Sequence, residues 1–164
     1  MSGGGVVGLA VAYEALRSGF QTALVDRRNV GRESSWAGAG IIPPGSRFAL
    51  NELPAYERLR TVSFRRLESL AEEIRDVAGV DVEFRRTGGV EVARSEEAAA
   101  SLAAAARARR AHGVGVDEVD ARGVCELAPG ISGAISAIWM PDMRQVRNPR
   151  LLAGLAAACR RAGA

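Results

Sequence analysis

The sequence predicts an α/β fold of the Rossmann type, in which a β-α-β framework is interrupted by an inserted α+β segment. Three observations predict it. Gly3, Gly5 and Gly8 stand as G-x-G-x-x-G and run directly into a helical pattern. The apolar run Thr22-Ala23-Leu24-Val25 then ends in Asp26, where a dinucleotide-binding β-α-β unit places an acid to bond a ribose hydroxyl. The later elements read as helix, two strands, helix, short helix, strand and helix, which is not an unbroken series of β-α-β units.

Each glycine has a physical task in that reading. Gly3 allows the tight turn, Gly5 lets backbone N–H groups approach a pyrophosphate, and Gly8 lets the helix pack closely on the sheet. The helix N-terminus adds partial positive charge. A glycine-rich tail before an ordinary helix is the plainer alternative. One part of the unit is missing: such a motif follows a strand, and only Met1 and Ser2 precede Gly3. The expectation is an incomplete fold, either a shortened piece of a longer protein or one with a misplaced start. Without that central strand, the isolated chain is expected to be poorly soluble.

The elements follow in order. Residues 7–18 form the first helix, with Leu9, Ala12, Tyr13 and Leu16 as its apolar stripe and Gly19 at its end. Residues 21–25 form the second strand of the unit. Residues 28–50 are rich in Gly, Ser and Ala, close on Pro43-Pro44, and have no evident element of their own. A loop of that kind is functional or disordered, and its Ser34, Ser35 and small residues 37–40 suit close contact with a phosphate or a flat ring. Asn51 caps a long helix with Pro54 in its first turn. Its stripe is Leu59, Val62, Leu67, Leu70, Ile74 and Val77, and Gly79 ends it.

Residues 80–86 and 89–94 alternate apolar and polar about Thr87-Gly88, a two-strand element. Ser95 caps an Ala-rich helix to about His112, with Glu96 and Glu97 in its first turn. Asp120 caps a short helix to Leu127, and Pro129-Gly130 breaks it. Residues 133–140 form a strand. Asn148-Pro149 opens the last helix by the same device as Asn51 and Pro54.

Composition narrows the classes. At 164 residues, 48% apolar and 25% charged, the chain is globular and of one-domain size. A net charge of +3 would suit nucleic acid. However, every basic residue is Arg and the Arg pairs are interleaved with acids, as in solvated faces and a GC-rich coding sequence. No nucleic acid partner is expected. No apolar run reaches the length of a membrane span and no signal peptide is visible, so a cytoplasmic protein is expected. Cys125 and Cys159 are too few for a disulfide framework and lack metal-ligand spacing, and are read as buried thiols. No metal site is expected. His112, the single histidine, sits at a helix C-terminus and marks no nucleophilic triad. Trp139 reads as core, and Trp36 as a loop anchor or a cover over a cofactor.

At residues 3–8, at Asp26-Arg27 and along Gly31-Arg32-Glu33-Ser34-Ser35-Trp36-Ala37-Gly38-Ala39-Gly40-Ile41-Ile42-Pro43-Pro44, the chain resembles the FAD-dependent D-amino-acid oxidase superfamily, and within it the glycine oxidases of thiamine biosynthesis. Trp139-Met140-Pro141-Asp142, followed by Val146-Arg147-Asn148-Pro149, resembles the strand that leads from the substrate domain of that family into a helix returning to the FAD domain. The likeness runs over essentially the whole chain but over only the N-terminal half of such an enzyme.

The resemblance implies the D-amino-acid-oxidase-like variant of the Rossmann fold and FAD as cofactor. It divides the chain into an FAD-binding portion at 1–79 with its first strand missing, a partial substrate domain at 80–147, and a returning helix at 148–164. It implies that Gly3, Gly5, Val6, Val7 and Gly8 hold the FAD pyrophosphate. Asp26 would bind the adenosine ribose, with Arg27 beside it. Ser34 and Ser35 would bond the phosphate-ribitol portion, and Ala39, Gly40 and Ile41 would pass along the flavin ring.

The implied activity is oxidation of a small amine or amino acid, most like glycine to its imine and glyoxylate with release of peroxide. The family's catalytic residues lie in its C-terminal half, so none is assigned here and the chain itself is expected to be inactive. Oligomeric state is left open. Three alternatives stand beside this reading: a D-amino-acid dehydrogenase or sarcosine-oxidase-like relative; an NADP-dependent reductase, against which Asp26 would repel a 2′-phosphate; and a non-catalytic dinucleotide-binding fragment.

Overall fold

The structure, a computed structural model, describes residues 1–164. Its elements in chain order are helix α1 (Val6–Arg17), strand β1 (Ile41–Ile42), a 3₁₀ turn (Leu50–Glu52), α2 (Ala55–Ala78), β2 (Arg85–Arg86), β3 (Gly89–Ala93), α3 (Glu96–Ala111), β4 (Asp117–Asp120), α4 (Ala121–Leu127), β5 (Ser136–Met140), β6 (Arg144–Gln145) and α5 (Asn148–Arg161). The short strands pair in the order β1-β6-β2, and the longer ones as β3-β5-β4. The chain forms two compact units. The first comprises residues 1–41, 66–85 and 145–164, and the second comprises 42–65 and 86–144.

In the first unit α1 lies against α5. The stripe Leu9, Ala12 and Tyr13 is buried, and so are Leu151, Leu152, Leu155, Ala158 and Cys159 on α5. Ile74 is buried as well, and Gly154 leaves no room for a Cβ against its side chain. The Cys159 thiol donates to the Leu9 carbonyl at 3.6 Å. Arg66 joins Glu14 at 2.9 Å and Glu73 at 2.7 Å, a network of half-buried side chains.

Residues 21–25 do not form the expected strand. Val25 makes an isolated parallel bridge with Ser2. The Val25 N–H donates to Met1 at 2.9 Å, and the Gly3 N–H donates to Val25 at 2.8 Å. The Met1 amino group donates to the Ala23 carbonyl at 2.6 Å, and only Val25 is bonded through both its N–H and its carbonyl.

The second unit is built on an antiparallel sheet. β5 is its central strand, pairing Trp139 with Val90 on one side and with Asp117 on the other. Ala137, Ile138 and Met140 of β5 are buried. Ile138 and Met140 share a core with Ala106 of α3, Val114 and Val116, and Leu102 and Met143 pack on it. The caps at Ser95 and Asp120 form as expected, accepting from Ala98 N–H at 3.2 Å and Gly123 N–H at 2.8 Å. Thr61, fully buried, accepts from the Ser46 N–H at 3.0 Å, and Arg60 donates to the Pro44 carbonyl at 2.7 Å. These bonds seat the double-proline loop.

Several expectations are corrected. The segments at 80–86 and 89–94 do not pair with each other. β2 and β3 belong to different sheets, because the Thr87 and Gly88 N–H groups both turn to the Met143 carbonyl. Asn51 lies in the 3₁₀ turn and does not cap α2, which begins after Pro54. The strand expected from 133 starts at Ser136. Trp139 is half-buried rather than core, its ring filling the space over Gly88. Cys125 is exposed, and Cys159 is buried as expected.

Candidate functional site

The site is built on the turn that starts α1. Gly5 is the N-cap residue and supplies no side-chain cap, and the first turn of α1 carries no acidic residue. The exposed dipole end of a helix attracts an anion when no side chain of its own competes for it. Gly8 has a firmer reason to be glycine than packing on a sheet: a Cβ there would collide with the Gly3 carbonyl oxygen across the turn. The turn and the helix start therefore fix each other.

Asp26 ties this turn to the segment that follows it. Its Oδ2 accepts from the Gly4 N–H at 2.6 Å, and its Oδ1 accepts from the Arg28 N–H at 2.8 Å. These two bonds, Gly4 first, hold the carboxyl below its ordinary pKa, with Arg27 adding a smaller push the same way. Each oxygen keeps a second lone pair, so the carboxylate can still accept from a ligand hydroxyl. The Gly31 N–H closes the arrangement on the Gly4 carbonyl at 2.9 Å.

Ser35 comes to the same place from the loop. Its Oγ accepts from the Val6 N–H at 3.1 Å, which leaves its own hydroxyl proton to donate outward. Beyond it, Gly40 adopts a φ of +72° and sits so close to the Val146 carbonyl that no Cβ would fit. The chain then emerges with Ala39 exposed and Ile41 60% exposed, a stretch of apolar surface.

The structure thus brings together Gly3, Gly5, Val6, Val7, Gly8, Asp26 and Ser35, with Ala39, Gly40 and Ile41 at the far end of the same loop. It does not bring Arg27 and Ser34 into the turn. Arg27 is exposed and reaches Glu33 at 3.4 Å, and Ser34 is exposed. Sequence reasoning passed over Gly4, whose N–H holds Asp26, and Gly31. Gly31 has φ +72° and lies against Leu152. A glycine beside Arg32 and Glu33, in a stretch with no regular element, was the available signal for it.

The arrangement can hold an anion at the start of α1, a hydroxyl-bearing group at Asp26 and a flat apolar group along 39–41. No three His, Cys, Asp or Glu side chains gather to hold a metal ion. No helix is long and apolar enough to cross a membrane.

Comparison with known proteins bears on which ligand this is. Residues 3–164 match the model of the DAO family, described as FAD dependent oxidoreductase. The chain is similar to the glycine oxidase of Pseudomonas putida, with 37% identity over 157 residues, covering 95% of this chain and 41% of the relative. It is similar to that of Pseudomonas aeruginosa at 32% identity, again over 95% and 41%. Among solved structures, the glycine oxidase of Geobacillus kaustophilus superposes with a TM-score of 0.89 at 29% identity, over 99% of this chain and 44% of that one. The chain therefore spans about two fifths of the length of the relatives it matches.

Proposed function

The chain belongs to the DAO family of FAD-dependent oxidoreductases, and from that premise we propose that it is the cofactor-binding part of a glycine oxidase-like enzyme acting on glycine or a similarly small amine. The observation that carries this reading is the joint anchoring of Asp26 on the Gly4 N–H and of Ser35 on the Val6 N–H. It sets a hydroxyl acceptor and a hydroxyl donor on either side of one helix start.

The residues fit FAD. A diphosphate meets N–H dipoles at α1 with no acid in the first turn to repel it. In this reading Gly3, Gly5, Val6, Val7 and Gly8 hold the pyrophosphate, and Asp26 accepts from the adenosine ribose with Arg27 at its edge. Ser35, with Ser34 beside it, donates to the phosphate-ribitol portion. Ala39, Gly40 and Ile41 lie along the flavin, where the exposed Ile41 side chain would lose its water. Bound FAD would supply a hydride acceptor that dioxygen reoxidises to give peroxide, and the protein's part is orientation.

With glycine as substrate, the amine leaves as an imine that water converts to glyoxylate and ammonia. No arginine of this chain is assigned to the substrate carboxylate. By function, we assign residues 1–79 and 148–164 to the FAD-binding portion and 80–147 to a partial substrate domain. The compact units differ from this in placing 42–65 with the second, and 80–85 and 145–147 with the first.

The test is the absorbance spectrum of the protein carrying this chain, followed by glycine under anaerobic conditions and then air. Flavin bands that bleach with glycine and return with peroxide release are expected. A colourless protein that takes up no added FAD would remove the cofactor assignment. Flavin that bleaches with other amines but not with glycine would remove only the substrate.

A further inference from the structure

The first turn of α5 carries a residue whose task is not the one its position advertises. Asn148 precedes Pro149, the pattern of a helix cap. Yet α5 begins at Asn148 itself, its N-cap residue is Arg147, and no side chain caps it. The Asn148 carboxamide instead turns away from its own helix. Its Nδ2 donates to the Ser35 carbonyl at 3.2 Å, across 113 positions of sequence. The same nitrogen occupies the space a Cβ at Gly38 would need, and its Oδ1 lies 3.4 Å from where a Cβ at Gly40 would be. Two residues earlier, the buried Val146 donates its N–H to the Gly40 carbonyl at 3.0 Å. One short stretch, 146–148, therefore holds both ends of residues 35–40.

That loop is where the candidate site needs precision. Ser35 must keep its Oγ on the Val6 N–H while its carbonyl points the other way, and Gly40 must hold its left-handed turn for Ala39 and Ile41 to face outward. A bond to the Ser35 carbonyl fixes the peptide that follows the serine, and with it the direction of the hydroxyl.

We propose that Asn148 is a positioning residue for the cofactor, setting the loop 35–40 in its binding conformation through the Ser35 carbonyl. This rests on the assignment of the site to FAD. The chemistry explains the residue type. Aspartate would serve the start of a helix at least as well, as a cap and in the dipole field. It cannot donate, and it would set a carboxylate against a carbonyl oxygen. Only the amide both fits the turn of α5 and supplies the N–H.

Asn148→Asp separates the two roles, because it preserves the helix start and breaks the clamp. The expected result is a melting temperature within a degree or two of the parent and unchanged hydrogen exchange at Leu155 and Ala158 within α5. Exchange is expected to be faster at the Val6 and Val146 amides, which the loop protects. FAD binding, followed by flavin fluorescence, is expected to weaken roughly 5- to 30-fold.

Asp26→Ala serves as the control on the site itself. If the parent and Asp26→Ala take up FAD equally, or neither does, the FAD assignment fails and this inference falls with it. If Asp26→Ala weakens FAD while Asn148→Asp binds like the parent with unchanged exchange at Val6, the site stands and the role of Asn148 is overturned. A lowered melting temperature with faster exchange along α5 would likewise overturn it, by making Asn148 a helix-start residue alone.

Discussion

The antiparallel sheet of the second unit and the glycine turn with α1 in the first do opposite things with apolar side chains. Around β5 the chain covers its own core: Ala106, Val114, Val116, Ile138 and Met140 are all buried. Around α1 only one stripe is covered, while Val7 is 73% exposed, Phe20 68% and Val25 65%. The sheet region is specified by burial. The turn region is specified by backbone geometry, through Gly8 against the Gly3 carbonyl, Asp26 on the Gly4 N–H and Ser35 on the Val6 N–H. A region ordered that way can leave surface and polar groups available to a ligand, at the cost of a weaker core.

The sharpest way to break this contrast is to damage each region and read both. Ile138→Ala empties a fully buried site and should lower stability by about 2–5 kcal/mol in urea unfolding, while native protein keeps its FAD affinity. A loss of FAD affinity at full folding would show that the two regions are not separate in function.

Gly8→Val acts from the other side. Its side chain meets a backbone carbonyl that cannot step aside, so FAD uptake should fall on the order of a hundredfold, about 2.7 kcal/mol. Trp139 fluorescence, read in a Trp36→Phe background, should be unchanged. A shifted Trp139 signal would contradict local damage.

On the proposed assignment of Asp26 to the ribose, Asp26→Ala should weaken FAD on the order of tenfold, because that acceptor is lost and the Gly4 N–H is left unpaired. The parent should show the same loss with acid. The folded carboxyl titrates below its ordinary value of 3.8. Its contribution is therefore complete above that value and disappears as pH falls through the lower folded one. A titration of FAD binding against pH checks this, and Asp26→Ala should remove that acid limb. Ser95→Ala should be the smallest effect, about 1 kcal/mol from the α3 cap with no change in FAD binding, measured by thermal unfolding.

What was legible in the sequence was local. The α1 stripe, buried at Leu9, Ala12 and Tyr13 and half-buried at Leu16, the Ser95 and Asp120 caps and the glycine turn each depend on residues a few positions apart, and each is found in place. The α2 stripe gave a face but not its cover: Ile74 is buried, while Leu59 is 66% exposed. Strand partners were not legible. Alternation at 80–86 and 89–94 suggested neighbours, yet β3 pairs with β5, whose residues lie far along the chain. β4, Asp117-Glu118-Val119-Asp120, was missed because three of its four residues are acids, as suits an edge strand. Asn148 was misread for the same reason as the hairpin, since a cap is a local inference and its partner Ser35 is distant. At the site, Asp26 and the glycines could be placed from spacing. The exposure of Arg27 and Ser34 could not, because spacing says nothing about where a loop side chain turns.

The central claim is that residues 1–41 form an FAD site held by backbone geometry. Equilibrium titration of the protein carrying this chain with FAD, in the presence and absence of excess NADPH, tests it most directly. The account predicts saturation at one FAD per chain, with NADPH unable to displace it because Asp26 repels a 2′-phosphate. Uptake of NADPH in place of FAD, or of neither, would contradict it.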